Sequence, residues 1–414
     1  MAVHVPDDRA TTLRLADVLG SAGFHQAGLQ VLLEDAMRSV DNDDVAELLR
    51  RTKSADQLSV LARLFLTDVG APIAAAATAL RPLPLADLVA AGFLTVDGER
   101  VRGCVRLRPV RLAGSEMIVA SDRTAGGLSS EHVLGITGAG ATLADITYRR
   151  RVARALDVGT GCGLQALGAA VHARDVVATD TNPRALAFTA LNATLNDVVV
   201  ETRLGDLLAP VSGEFDLIVS NPPFVISPES RYASRDSGEP GDALCERLVR
   251  ELPTRLASDG TAHLLLNWGV RAGESACDRP LSWLDGSVDA LLLHREPEPV
   301  ADNASRWLRQ APEGRSPGYP ASYEHWLDSF AALGMDAICF GALALQKTPG
   351  RPGVTRGQLQ GSGAGAGVGD RLEPPRAGRS AGRRGRRGRG RRRACSPPAT
   401  DVGPCDRCSR MRPG

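Results

Sequence analysis

The chain has 414 residues, 43% of them hydrophobic, and a formal net charge of +1. The length allows two or more domains, no apolar run approaches the roughly 18 residues of a membrane span, and no secretory signal opens the chain. Eight scattered cysteines exclude a disulfide scaffold and suit a reduced, cytoplasmic protein.

The charge is uneven. Residues 371–414 hold 14 Arg against Glu373, Asp401 and Asp406, which leaves about −10 on the rest. An acidic body does not look like a general nucleic-acid binder, which needs cations to displace phosphate counterions.

Residues 1–110 read as a first, mainly helical domain. LRLADVLGSAGF and LSVLARLFLTDV space their apolar residues at helical intervals. PLADLVAAGFLTVDGERVRGCVRLRPVRL then reads as a helix and two short strands turning at Asp97-Gly98. A helix followed by a basic hairpin resembles a winged helix. Arg100, Arg102, Arg106, Arg108 and Arg111 would decorate the wing and offer a surface to RNA or to a protein substrate.

Residues 111–347 alternate strand and helix patterns. The candidate strands are RALDVG, VVATD, VETRLGD, FDLIVSN, AHLLLN, VDALLL and AICFGALAL. This alternation predicts an α/β domain with a mostly parallel sheet, helices on both faces and ligands at the carboxyl ends of the strands. AICFGALALQK is expected to finish the sheet.

Residues 348–414 are low in complexity. GQLQGSGAGAGVGD and AGRRGRRGRGRRRA have no apolar periodicity, so a disordered tail is expected. Out-of-frame translation of GC-rich DNA would give the same Arg, Gly, Ala and Pro runs. Cys395, Cys405 and Cys408 include one CxxC, but three ligands without a histidine do not make a zinc site, and no metal is expected.

The chemistry lies in the middle domain. RALDVG runs into a glycine loop with the pattern Asp157-x-Gly159-x-Gly161-x-Gly163. Glycines let the backbone turn tightly and let a ligand approach it closely. A carboxylate at Asp157 suits a cationic amino group better than a pyrophosphate, which it would repel. Asp180 closes the next strand and can accept both hydrogen bonds of a ribose diol. Asp206 closes the third and suits an adenine amino group.

These residues resemble the class I S-adenosylmethionine-dependent methyltransferases. The resemblance implies a Rossmann-like seven-stranded sheet and S-adenosylmethionine as cofactor. Asp157, Gly159, Gly161 and Gly163 would hold its methionine end, Asp180 its ribose, and Asp206 with Leu207 its adenine.

The fourth strand ends in Asn221-Pro222-Pro223-Phe224. Two prolines cannot continue a strand. The motif is similar to the [Asn/Asp]-Pro-Pro-aromatic signature of methyltransferases that modify planar nitrogens. Such a nitrogen is a poor nucleophile because its lone pair is delocalised. The resemblance implies that the Asn221 side-chain oxygen and the Pro222 carbonyl accept its N–H bonds and draw it toward tetrahedral geometry. The prolines hold these acceptors rigid, and Phe224 offers a flat face to the planar group.

LDVGTGCGLQAL, ATDTNPRALAFTALNATLND and SNPPF resemble the HemK-type release-factor glutamine methyltransferases most. Phe224 stands where that group normally has Tyr; Phe is commoner among ribosomal-RNA guanine methyltransferases. The expected activity is therefore N-methylation of a glutamine in a translation factor. The alternatives are an adenine or guanine amino group of ribosomal or transfer RNA, favoured by the arginine hairpin and by Arg149–Arg151 with Arg154, or an inactive methyltransferase fold used as a binding module.

Overall fold

A computed structural model describes residues 4–34, 45–123, 130–229, 232, 235–310, 316–348, 350 and 352–358. The cysteine trio and nearly all of the arginine-rich tail lie outside these residues. Among the described residues no helix is long and apolar enough to cross a membrane.

The N-terminal part begins with α1 (Arg9–Ser21), α2 (Gln26–Leu33), α3 (Val45–Arg51) and α4 (Gln57–Leu66). Side chains start three of them: Asp8 caps α1 through the Thr11 amide, His25 caps α2 through the Gly28 amide and Asp56 caps α4 through the Ser59 amide. Next come β1 (Ala71–Pro72), α5 (Ile73–Ala79), α6 (Leu85–Ala90), β2 (Leu94–Asp97) and β3 (Arg100–Gly103). The three strands form a small antiparallel sheet in the order β1-β3-β2. A helix, a strand, two helices and a hairpin in this order have the winged-helix topology expected from the sequence.

Only two of the five expected arginines, Arg100 and Arg102, lie on this wing. Arg100 donates to the carbonyls of Val69 and Gly70 (3.3, 3.2 and 3.0 Å). Arg102 pairs with Asp97. Arg106, Arg108 and Arg111 belong to a separate hairpin of β4 (Arg106–Leu112) and β5 (Ser115–Ser121). The boundary expected at residue 110 falls inside β4.

The second part holds α7 (Gly138–Ile146), β6 (Val152–Val158), α8 (Leu164–Ala170), β7 (Ala173–Asp180), α9 (Pro183–Leu195), β8 (Glu201–Leu204) and β9 (Phe215–Ser220). It continues with α10 (Ala243–Glu251), β10 (Leu256–Val270), α11 (Asp278–Ser282), β11 (Asp289–His294) and β12 (Glu298–Pro299). Last come α12 (Val300–Gln310), α13 (Tyr319–Ala332), β13 (Ala337–Gln346) and β14 (Val354–Gln358).

The seven expected strands stand in the order β8-β7-β6-β9-β10-β13-β11. The first five run parallel, and β13 is antiparallel to both neighbours. This is the doubly wound sheet that the resemblance implies. Two strands were not anticipated. β12 pairs with the start of β13, and β14 adds to the edge in parallel with β11. The sheet therefore does not finish at AICFGALALQK. The Asp289 carboxylate binds the Thr348 hydroxyl and the Gly353 amide, which ties the segment before β14 to the start of β11.

Both parts share a core. Phe24, Phe65 and Phe93 pack in one apolar cluster with Leu164, Phe188 and Leu191. The seam is also polar. The β5 edge would leave unpaired backbone groups, and two side-chain amides, Asn192 of α9 and Asn196 just after it, satisfy them. Asn192 accepts from the Ala120 amide (2.6 Å) and donates to the Ala120 carbonyl (2.9 Å). Asn196 does the same for Ile118 (2.8 and 2.7 Å). The spacing explains the match: four helical residues rise about 6 Å and two strand residues about 6.6 Å.

His263 lies in β10, fully buried, and desolvation beside Arg149 pushes its pKa down to about 4. The unfolded chain takes up that proton below the ordinary value of about 6.5 while the folded chain does not. Its stabilising contribution is thus present above pH 6.5 and lost as pH falls toward 4. Asp157, raised to about 7 by burial, works in the opposite direction over the same window. The Asp157 contribution cancels when wild type is compared with His263→Gln. Wild type should lose about 2 kcal/mol relative to the variant between pH 7 and pH 5, read by urea unfolding. Parallel losses in the two proteins would contradict the assignment.

Candidate functional site

Strand register brings the sequence motifs together. Val158 of β6 pairs with Thr179 of β7 on one side and Ser220 of β9 on the other. The glycine loop, Asp180 and Asn221 therefore leave adjacent strand ends side by side. The buried Ser220 hydroxyl donates to the Val158 carbonyl (2.8 Å) and fixes the Asn-Pro-Pro-Phe segment against the loop.

These ends open on a cavity of about 660 Å³. Asp157, Gly159, Gly161, Asp180, Asp206, Leu207, Asn221, Pro222, Pro223 and Phe224 all line it. Of the expected site residues only Gly163 stands back from the wall. Gly159, Gly161 and Gly163 all have positive φ (70°, 56° and 82°). At Gly163 a Cβ would also lie 3.0 Å from the Thr189 hydroxyl. Its role is to let α8 begin close against α9. At Gly161 a Cβ would meet nothing within 4 Å, so that backbone faces open space.

Asp157 is buried. One carboxylate oxygen accepts from the Thr160 hydroxyl (2.7 Å) and the Ala166 amide (3.0 Å). Desolvation outweighs these bonds and pushes its pKa up to about 7. Asp180 accepts from the Gly161 amide through one oxygen (2.9 Å) and from the Asn182 amide through the other (2.8 Å). Burial raises its pKa too. Each Asp180 oxygen keeps a further lone pair for a hydroxyl donor.

Asp206 departs from expectation. Its carboxylate is paired with Arg247 of α10 (2.6 Å), and Arg247 also reaches Glu239 (2.5 Å). These bonds raise the Arg247 pKa, the Asp206 bond most. The third acid thus lines the cavity half-exposed, with Arg247 as its partner.

Asn221 carries the sharpest chemical signal. Its side-chain oxygen is buried and finds no hydrogen-bond partner among the described residues. Such an acceptor costs roughly 1–3 kcal/mol unless a donor arrives. Phe224 meets Phe340 edge to face, with centroids 5.6 Å apart, which fixes the ring at the cavity wall.

Sequence reasoning missed part of the wall. His132 to Gly140 cover one side. Thr137 caps α7 by accepting from the Gly140 amide (3.0 Å), and Gln165 of α8 donates to the Gly140 carbonyl (2.8 Å). The TGAGATLAD stretch signalled a segment here but no individual role. Arg235, Arg247, Trp307 and Gln310 also line the cavity. None belongs to a local pattern.

The arginines offered for RNA are mostly engaged elsewhere. Arg149 binds the Ala144 carbonyl, and Arg150 binds that of Asp259 (2.5 Å). Arg154 donates to the Glu214 carbonyl (2.9 Å) and stacks on Phe215 at 4.4 Å. Arg108 donates to the Ile136 carbonyl (3.4 Å).

Comparisons with known proteins agree with this geometry. The family model "Methyltransferase small domain" matches residues 137–272. Residues 21–103 match "Domain of unknown function (DUF7059)". The chain is 40% identical over 126 residues to a release factor glutamine methyltransferase of Deinococcus radiodurans, covering 28% of this chain and 45% of that protein. It is 36% identical over 133 residues to one of Cereibacter sphaeroides, covering 29% and 47%. It is 37% identical over 114 residues to the ribosomal RNA small subunit methyltransferase C of Chromohalobacter salexigens, covering 28% and 31%. The chain spans less than half the length of each of these relatives.

Proposed function

We propose, from the premise that residues 137–272 form a class I S-adenosylmethionine-dependent methyltransferase domain, that this chain methylates the side-chain amide of a protein glutamine, in a translation factor. The observation that carries this reading is the buried, unpartnered Asn221 oxygen between two prolines and the glycine loop.

The cavity suits S-adenosylmethionine. The Asp157 carboxylate complements its amino cation, the free lone pairs of Asp180 its ribose hydroxyls, and Leu207 an apolar adenine face. The bound cofactor supplies an electrophilic methyl group. Asn221 and Pro222 accept the N–H bonds of the acceptor nitrogen, and Phe224 orients its plane. Positioning and preorganised acceptors supply the rate enhancement, and no strong base is needed.

The acidic body supports protein over RNA: outside residues 371–414 the chain carries about −10, which repels phosphates. RNA stays the second reading through Phe224 and the ribosomal RNA methyltransferase relative.

The test is transfer from radiolabelled S-adenosylmethionine into total protein and total RNA of a methylase-deficient lysate. Label removed by protease and resistant to nuclease is expected. Label removed by nuclease would assign an RNA base. Absence of both transfer and cofactor affinity would leave a binding module.

Asp180→Ala tests the cofactor assignment separately. Loss of a charged acceptor for two hydroxyls should weaken S-adenosylmethionine affinity roughly a hundredfold in titration calorimetry. Unchanged affinity would remove Asp180 from the ribose site.

A further inference from the structure

β11 and β13 are antiparallel neighbours, and such a pair needs a turn of only about two to five residues. Residues 295–336 lie between them and carry α12 and α13. Ala304, Leu308, Trp326 and Phe330 of these helices form a core with Val225 and Ile226, and Phe224 packs against it. The insertion is therefore built onto the segment that follows the two prolines. It brings Trp307 to the cavity wall.

Two wall residues hold a buried polar atom without a partner among the described residues. One is the Asn221 Oδ1 acceptor and the other the Trp307 Nε1 donor. A carboxamide offers the complement of both, N–H donors and a carbonyl acceptor on adjacent bonds.

We infer that Trp307 is an acceptor-positioning residue: its indole N–H binds the carbonyl oxygen of the glutamine amide whose nitrogen Asn221 holds. The inference rests on the glutamine methyltransferase reading above. Both atoms are covered, so the entering amide must part the side chains over them. The indole is flanked by Arg306, whose guanidinium lies 4.7 Å from its centroid, and by Arg235. The Arg235 guanidinium lies 5.8 Å from the Trp307 ring centroid and 4.6 Å from that of Tyr232, and pairs with the buried Asp236 at 2.7 Å. The bond orients the amide and does not activate it, because a donor on the carbonyl oxygen strengthens amide resonance. Trp307 therefore acts on acceptor binding and not on the transfer step.

Trp307→Phe removes the N–H and keeps an aromatic ring. Transfer would be measured against rising amounts of the protein fraction of a methylase-deficient lysate, with cofactor affinity measured in parallel. The apparent KM for acceptor should rise roughly three- to tenfold, as loss of one neutral hydrogen bond allows. The maximal rate should not fall, and the S-adenosylmethionine affinity should hold. An unchanged KM in a variant that binds cofactor would overturn the role of Trp307 and leave the methyltransferase reading standing. A wild-type protein that binds no cofactor, or that labels RNA only, would overturn both. Trp307→Ala, with thermal unfolding followed, separates lost contact from lost packing. A KM no higher than in Trp307→Phe is expected if the N–H is what matters, and a much higher one would assign the effect to ring packing.

Discussion

Asn221→Ala should lower the maximal methyl-transfer rate by roughly 10²-fold or more, the loss seen when one preorganised polar contact to a reacting group is removed. Cofactor affinity should change little, because Asp157 and Asp180 lie on other strand ends. Folding should not suffer either. The Asn221 oxygen has no partner among the described residues, so its removal deletes no hydrogen bond from it and relieves a buried acceptor. Single-turnover kinetics with saturating labelled cofactor, beside thermal unfolding, separates these effects. A variant that transfers methyl at the wild-type rate would take Asn221 out of the mechanism. A variant that is slow but also less stable would point to a structural role.

The second large effect is expected far from the reacting atoms. Asn192→Ala should destabilise the protein by on the order of 3 kcal/mol. Asn192 is fully buried. Besides its two bonds to Ala120, its amide donates to the Cys162 carbonyl in the glycine loop (2.7 Å). Truncation leaves three backbone groups without this partner. Asn192→Asp should be at least as damaging, because it keeps the acceptor but offers no donor and buries a charge. Denaturant unfolding of both variants checks this. Losses below about 0.5 kcal/mol, the range of ordinary surface substitutions, would mean that the hairpin and the cofactor loop are not joined through Asn192. If the loss is as expected, cofactor affinity should fall with it. The same side chain holds the β5 edge and the loop, so the N-terminal part supports the site mechanically.

The sequence by itself determined the doubly wound sheet, the glycine loop, Asp157, Asp180 and the Asn-Pro-Pro-Phe strand end. These are local signals. A strand carries its last residue with it, and parallel register then sets consecutive strand ends together. The glycines and prolines report backbone constraints that hold before any tertiary contact forms. Only the tertiary structure decided the fate of the charges. Asp206 meets Arg247 across 41 positions, and Arg100 meets the carbonyls of Val69 and Gly70. No periodicity encodes such a pair, because a long side chain selects its partner by proximity after the chain has folded. The same reason hid Trp307. The helix that carries it becomes a wall of the site only because the insertion between β11 and β13 packs its core against Phe224.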